Sequence, residues 1–160
     1  MRVIAFSCVH WMTRLTQVEV YGYEEPLDYV PFLRLCDLIV ASRPDAVVNL
    51  GDFTEPFHEA PPALPDMYRW AQLATKVYKL AGNHDRADGA DHVVIDGVRY
   101  EHGHKLAPSM PGADASVDGY IERLRENTAG ARLVHGHSHV PAGGPGLPLD
   151  VGSVTFSRTY

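Results

Sequence analysis

Residues 46–52 read Ala-Val-Val-Asn-Leu-Gly-Asp, an apolar run that ends in a glycine and an acid. A short run of this kind, rich in valine, predicts a buried strand over Ala46–Leu50. Gly51 lets the backbone turn sharply beyond the strand and present the carboxylate of Asp52 at its end. An apolar run followed by potential metal ligands recurs along the chain, and this recurrence predicts the fold.

Four more apolar runs are followed by polar residues of the same kind, and they end at Phe6, Leu80, Tyr100 and Val134. Where parallel strands share a sheet, the side chains that follow the strands collect at one edge. If these strands pair, the polar stretches converge on one pocket. The five stretches are Cys8-Val9-His10, Gly51-Asp52, Gly82-Asn83-His84-Asp85, His102-Gly103-His104 and Gly136-His137-Ser138-His139.

The pattern between these stretches predicts three amphipathic helices. They cover Leu27–Ser42, Pro65–Thr75 and Val117–Thr128. Their apolar positions include Val30, Leu33 and Leu38 in the first helix, Met67, Trp70, Ala71 and Ala74 in the second, and Ile121 and Leu124 in the third.

Further strands are predicted over Arg2–Phe6, Lys76–Leu80 and Arg132–Val134, with one or two more in Leu147–Phe156. Asp96-Gly97 joins two short apolar runs and is a strong hairpin signal. Residues 11–26 fit a loop that contains a strand. The element order β-α-β-α-β, hairpin, helix, strands indicates an α/β protein with a mixed sheet or two packed sheets and helices outside.

Composition limits the classes of function, the partners and the location that we expect for this chain. The chain has 160 residues, 45% of them apolar, with a net charge of −6, which predicts one domain over residues 1–160. The absence of Lys or Arg runs argues against a long nucleic-acid groove. The first apolar run is too short for a signal peptide or a membrane span, so we expect a cytoplasmic protein without a membrane partner. Two cysteines do not make a disulfide framework.

The motif order C-x-H, G-D, G-N-H-D, H-G-H, G-H-S-H resembles that of the calcineurin-like metallophosphoesterases, whose motifs run D-x-H, G-D, G-N-H-D/E, H-G and G-H-x-H. The resemblance extends from residue 3 to about residue 153, and its nearest form is the small stand-alone phosphodiesterases of this superfamily. It implies a two-layer β-sandwich of mixed sheets flanked by helices, the calcineurin-like phosphoesterase fold.

The resemblance also implies two metal sites that share Asp52. The first would be held by Cys8, His10, Asp52 and His139, and the second by Asp52, Asn83, His102 and His137. His84 would stand at the substrate phosphate with Asp85 orienting it. The residues expected to contact substrate are Asn83, His84 and Arg86.

The function implied is that of a metal-dependent phosphodiesterase acting on small phosphodiesters, with cyclic nucleotides as candidates, through a metal-activated hydroxide. Two divalent metal ions are expected, Mn²⁺ first, with Zn²⁺ or Fe as alternatives because of Cys8. A phosphomonoesterase and a non-catalytic interaction module of the same fold are the alternative functions. Residues 11–26 either form a homodimer contact or pack on the sandwich.

Cys8 stands where the family pattern has Asp. A thiolate carries the same charge as a carboxylate but is soft, and it favours Zn²⁺ or Fe over Mn²⁺. If Cys8 does not bind, the first site is weak or empty, and the oxygen-rich ligand set favours this second interpretation. The sequence alone does not place Glu55 or Asp150 as a substitute ligand.

Overall fold

The buried run at residues 46–52 forms the centre of a three-stranded sheet. All four residues of β2 (Ala46–Asn49) are buried. The strand pairs in parallel with β1 (Val3–Phe6) and with β3 (Lys76–Lys79). A strand covered on both faces needs apolar side chains on both, which explains the valine-rich sequence. The structure is a computed structural model that describes residues 1–24, 27–55, 63, 66–85, 89–106, 117–129, 131–139 and 149–150.

The second sheet has four strands and mixed pairing. β4 (His92–Ile95) and β5 (Val98–Glu101) form an antiparallel hairpin. Both turn residues, Asp96 and Gly97, have positive φ, as a type I′ turn requires. β6 (Arg132–His135) pairs in parallel with β5 and with β7 (Leu149–Asp150). Within the described residues only this second sheet is mixed, so the expectation of two mixed sheets is corrected for the first.

The two sheets pack face to face, and helices cover their outer faces. Alternate residues of a strand point to opposite faces, so Val48 packs among residues of the second sheet while Val47 packs beneath the first two helices. These helices are α1 (Val30–Ser42) and α2 (Asp66–Ala74), and α3 (Val117–Asn127) packs on the second sheet. The predicted sandwich flanked by helices is confirmed.

The buried face of α1 differs from the predicted one. Phe32, Cys36 and Ile39 are buried, and their spacing places them on one side of a helix. Val30 and Leu38, which the apolar pattern also includes, are 44% and 54% exposed. The sequence of α1 carries more apolar positions than one face can bury, so spacing alone does not decide which stripe faces the sheet.

The other two helices show the same kind of difference. Among the side chains of α2 that the structure describes, Tyr68 and Ala71 are buried, while Trp70 is 57% exposed. The side chains of Met67 and Ala74 lie outside that description. In the described side chains of α3, Tyr120 and Leu124 are fully buried, and Ile121 is only partly buried. Tyrosine is amphipathic and is easily overlooked as a core residue, although its ring buries a large apolar area.

Within the described part of the segment 11–26, residues 14–20 are helical where a strand was expected. Thr16–Val20 form a π-helical turn, with Thr16 and Gln17 buried and Leu15 and Val18 each 50% exposed. The segment therefore packs partly on the sandwich. The homodimer stays a prediction.

Several expectations concern single features. No described helix is long and apolar enough to cross a membrane. Neither cysteine is in a disulfide, and Cys36 lies in the core, where burial raises the pKa of its thiol to about 12. Most of the strand region predicted over residues 147–156 lies outside the described residues.

Replacing Ile39 by alanine is expected to lower the free energy of unfolding by roughly 2–5 kcal/mol, because its removal leaves a cavity in the core. Ile39 is 1% exposed, whereas its neighbour Leu38 is 54% exposed. Leu38→Ala is therefore expected to change the same quantity by less than about 0.5 kcal/mol. Urea unfolding of both variants, followed by circular dichroism, tests this. Equal losses would contradict the assignment of the buried face.

Candidate metal centre

The segments that follow β1 and β2 run side by side at one edge of the sandwich. The Cys8 amide donates to the Gly51 carbonyl and the His10 amide to the Asp52 carbonyl, both at 3.0 Å. In the second sheet the Gly136 amide donates to the His102 carbonyl at 3.1 Å. These bonds fix the backbone of the polar stretches from both sheets, so their side chains have defined directions.

Left-handed backbone conformations concentrate at the predicted ligands. Eight described non-glycine residues have positive φ, and five of them are predicted ligands. This conformation costs about 1–2 kcal/mol for a residue with a Cβ atom, so the surrounding structure must hold it in place. Such strain is typical of sites where side chains are aimed at a ligand. The five residues are Cys8, His10, Asp52, His137 and His139.

Two glycines permit the close approach of neighbouring segments. A Cβ atom at Gly82 would clash with the carboxylate and the amide of Asp52. A Cβ atom at Gly136 would clash with the hydroxyl of Ser7. The absence of a side chain at these positions lets the segments after β3 and β6 reach the cluster.

The predicted second ligand set comes together around His102. Its Nε2 atom lies 2.9 Å from Oδ2 of Asp52 and 3.0 Å from Oδ1 of Asn83. The ring of His137 lies 5.2 Å from the ring of His102, measured between centroids. His102 is almost fully buried, as are Asp52 and His137. All four residues of the set are therefore neighbours at this edge.

The predicted first set also comes together. The donor atoms of Cys8, His10 and His139 all lie within 4.8 Å of one another. Nε2 of His10 is 3.5 Å from Nε2 of His139. The donor atoms of Cys8, Asp52 and His102 form a second such group. Cys8 is common to both groups.

The distances and the donor types fit bound metal ions. Ligand atoms that share one ion at about 2.1 Å stand roughly 3.0–3.4 Å apart, and the donor pairs around His102 and His10 span 2.9–3.5 Å. Carboxylate, amide, imidazole and thiol groups together suit transition-metal ions. The residues present therefore fit the metal sites that the motifs imply.

Glu55 is a site residue that the sequence pattern did not place. It is 3% exposed, and its Oε1 atom lies 2.5 Å from Nδ1 of His10 and 2.7 Å from Nδ1 of His84. The Tyr21 hydroxyl donates to Oε2 at 2.8 Å. A carboxylate on the second nitrogen of a metal-binding histidine fixes the tautomer and the orientation of the ring. Glu55 is thus placed to hold His10 and His84 together.

Asp85 does not make the contact that we expected. Its carboxylate accepts backbone N–H groups from Asp52 and Gly82 on one oxygen, and from Phe53 and Thr54 on the other, at 2.8–3.3 Å. Asp85 therefore ties the segment after β2 to the segment after β3. The acid that bonds Nδ1 of His84 is Glu55, which corrects the orienting role predicted for Asp85.

Two buried acids stay ionised in this cluster. Burial alone would raise the pKa of Asp52, but the hydrogen bond and charge of His102, the His84 amide and the charge of His10 lower it to about 2. Burial likewise opposes ionisation of Glu55, and hydrogen bonds from His10, His84 and Tyr21 lower its pKa to about 2. Negative charge is therefore retained where cations would bind.

The histidines of the cluster differ in protonation. Burial and the charge of His10 lower the pKa of His139 to about 4, so its ring is neutral and can act as a ligand. The hydrogen bond with Glu55 raises the pKa of His84, against the effect of burial. The side chain of His84 is 34% exposed, whereas those of His10 and His102 are 7% and 1% exposed. His84 is thus accessible for contact with a substrate.

Two further residues of the predicted stretches are not assigned as ligands. Arg86 lies outside the described residues, and its contact with substrate stays a prediction. His104 lies beside the second set, with its ring centroid 5.2 Å from that of His102. Burial, followed by the charge of His102, lowers the pKa of His104. It is placed as a neighbour of the ligands.

The fold and the cluster together define an α/β/β/α scaffold of the metallohydrolase type. The chain belongs to the calcineurin-like phosphoesterase family, whose family model matches residues 1–119. The match ends before the G-H-S-H stretch, which the structure places in the same cluster. No curated protein matches the chain significantly.

Solved structures share this fold at low sequence identity. A single-residue variant of Vps29 from Entamoeba histolytica is 14% identical with a TM-score of 0.59, covering 99% of this chain and 78% of that one. YfcE, a phosphoesterase from E. coli, is 20% identical with a TM-score of 0.53, covering 99% and 83%. A predicted phosphoesterase from Streptococcus pneumoniae is 20% identical with a TM-score of 0.51, covering 98% and 74%. At these identities the likeness shows the fold alone.

Glu55→Gln is expected to lower the pKa of His84 in the metal-free protein, because the Glu55 hydrogen bond is the largest cause that raises it. The ring should then lose its proton at lower pH than in the native protein. NMR titration of the His84 ring measures the shift. Asp85→Asn should lower the same pKa less, since the charge of Asp85 is only a minor cause. A larger fall in Asp85→Asn would contradict the assignment of Glu55.

Proposed function

We propose that this protein is a metal-dependent phosphodiesterase that hydrolyses small phosphodiesters, with cyclic nucleotides as candidate substrates. The observation that carries the proposal is the position of Asp52. Its buried carboxylate lies against the second donor set and beside the first, and it accepts the amide of the partly exposed His84 at 2.8 Å. Metal-binding and substrate-facing groups are therefore joined at a single residue.

The ligand sets support a two-metal site. Cys8, His10, Asp52 and His139 would hold one cation, and Asp52, Asn83, His102 and His137 the other. Two divalent cations at such a site clamp a phosphoryl group and activate a water molecule as nucleophile. The chain itself contributes a mostly buried set of donors with retained negative charge, which would hold bound cations close to His84.

His84 supplies the proton or hydrogen bond that the reaction needs. Its raised pKa favours the protonated ring, and Glu55 on Nδ1 fixes the orientation of that ring. A protonated imidazole stabilises negative charge that develops on a phosphoryl oxygen and donates a proton to the leaving oxygen. Tyr21 and His10 hold Glu55 from the other side, so His84 has a defined position before substrate binds.

Charge supports a small diester as substrate. The net charge of the chain is −6, which disfavours long DNA or RNA. A diester carries one negative charge, whereas a monoester approaches two at neutral pH, so the diester meets less repulsion from an acidic protein. A phosphomonoesterase is the second candidate. The intact donor clusters argue against a non-catalytic interaction module.

Purified protein, stripped of metal with a chelator and reloaded separately with Mn²⁺, Zn²⁺ or Fe²⁺, is expected to hydrolyse bis(p-nitrophenyl) phosphate faster than p-nitrophenyl phosphate. The stripped protein should be inactive on both. Release of p-nitrophenol measures both rates at equal substrate concentrations. Preference for the monoester would favour the second candidate, and no turnover with protein that has bound metal would contradict the enzymatic proposal.

Asp52→Asn and His84→Ala are expected to reduce activity in different ways. Asp52→Asn removes the carboxylate shared by both donor sets, so bound metal and turnover should both fall to background. His84→Ala should keep its metal and lower kcat by roughly 10²–10³, the scale of losing one transition-state donor. His92→Ala is the control, because His92 is exposed on β4. Metal content and kcat are measured on all three, and a fully active His84→Ala would refute the role of His84.

A further inference from the structure

We propose that the sulfur of Cys8 is a metal ligand shared by two donor groups, one with His10 and His139 and the other with Asp52 and His102. This sulfur makes the metal centre selective for a thiophilic divalent ion, Zn²⁺ or Fe²⁺, over Mn²⁺. The inference rests on the proposed metal site and names its cofactor. It reverses the expectation from the sequence, which favoured a weakened first site with a hard ion.

The position of the sulfur supports a shared ligand. The donor atoms of Cys8, His10 and His139 lie within 4.8 Å of one another, and so do those of Cys8, Asp52 and His102. One group contains ligands predicted for the first site and the other contains ligands predicted for the second. The Cys8 sulfur therefore lies close to donors of both sets, a shared position that the sequence pattern had assigned to Asp52 alone.

The surroundings of Cys8 differ from those of a packing cysteine. Cys36 is buried in the apolar cluster beneath α1, with Phe32 and Ile39. Cys8 is fully buried as well, yet it is a member of none of the apolar clusters found among the described residues. Cys8 is therefore buried outside these apolar clusters, as is expected of a side chain in a polar cluster.

Polar groups approach the sulfur directly. The His137 amide donates to Sγ at 3.3 Å, and Oγ of Ser7 lies 3.2 Å from it. Hydrogen bonds to sulfur favour its anionic form, which is the form that binds metal. Cys8 also has a left-handed backbone with φ of 55°. Four other predicted ligands, His10, Asp52, His137 and His139, share this strained conformation.

The chemistry of the donor set follows from this placement. When the Cys8 thiol binds a cation, the S–H bond breaks, the sulfur keeps the electron pair and donates it to the metal, and the proton passes to water. The thiolate keeps the charge that aspartate would have supplied. Thiolate is a soft ligand, so it strengthens binding of Zn²⁺ or Fe²⁺ much more than binding of Mn²⁺.

Cobalt spectroscopy tests the sulfur ligand without any turnover. The metal-free protein is loaded with Co²⁺, bound cobalt is quantified, and the near-ultraviolet spectrum is searched for a sulfur-to-cobalt charge-transfer band. The band is expected in the native protein and in the matched control Cys36→Ser, and it should be absent from Cys8→Ser and Cys8→Asp. A native protein that binds cobalt without the band, or binds no cobalt, would overturn the proposal.

A second measurement uses the native protein, so it tests the proposal even if a Cys8 variant does not fold. X-ray absorption of the native protein loaded with Zn²⁺ should show a zinc–sulfur distance of about 2.3 Å. Competition between Zn²⁺ and Mn²⁺ should then show that Cys8→Asp reduces the preference for Zn²⁺ by roughly tenfold or more. A loss of metal affinity of about that size is typical even when only a hydrogen-bond partner of a metal ligand is replaced. An unchanged preference, or zinc bound by nitrogen and oxygen alone, would overturn the proposal. Neither readout depends on substrate, so phosphodiesterase activity stands or falls separately.

Discussion

The arrangement of the whole edge depends on one buried negative charge, the carboxylate of Asp52. A buried carboxylate is costly unless hydrogen bonds and opposite charges surround it. His102 and the amide of His84 provide them directly, and Asp85 holds the Asp52 backbone through its amide. Because Gly82 has no side chain, its segment can lie directly against the carboxylate of Asp52. Three segments of chain therefore take their positions from the requirement to compensate a single charge.

The sequence predicts the strands of this fold well because their signals are local. A valine-rich run indicates a strand wherever it lies, and Asp96-Gly97 sets its own backbone conformation at the hairpin. The buried faces of the helices are not local in this sense. Ile39 and Leu38 have nearly the same hydrophobicity, and only the packing of α1 on the sheet decides which one is buried. The sequence does not predict the π-helical turn over Thr16–Val20 for the same reason, since its conformation depends on what it packs against.

The candidate site likewise has residues that local sequence signals predict and one, Glu55, that they do not. Residues beside glycine at strand ends are predicted as neighbours, and the structure brings them together because parallel strands end at one edge. Glu55 is different, because it follows Asp52 by three residues at the start of a proline-rich segment, and no pattern assigns it a partner. The spacing from Asp52 was the available signal, but its meaning depends on where His10 and His84 lie. Contacts between side chains from three segments are beyond what spacing can predict.

The division of the ligands between the two sheets has a mechanical consequence. Cys8, His10, Asp52 and Asn83 follow strands of the first sheet, whereas His102, His137 and His139 follow strands of the second. Between the sheets lies an apolar interface, whose packing has no direction of its own. A cation held by ligands from both sheets would act as a cross-link between them. Folding and metal supply are then linked, since each tenfold rise in free metal above the dissociation constant adds about 1.4 kcal/mol to the stability of the native state.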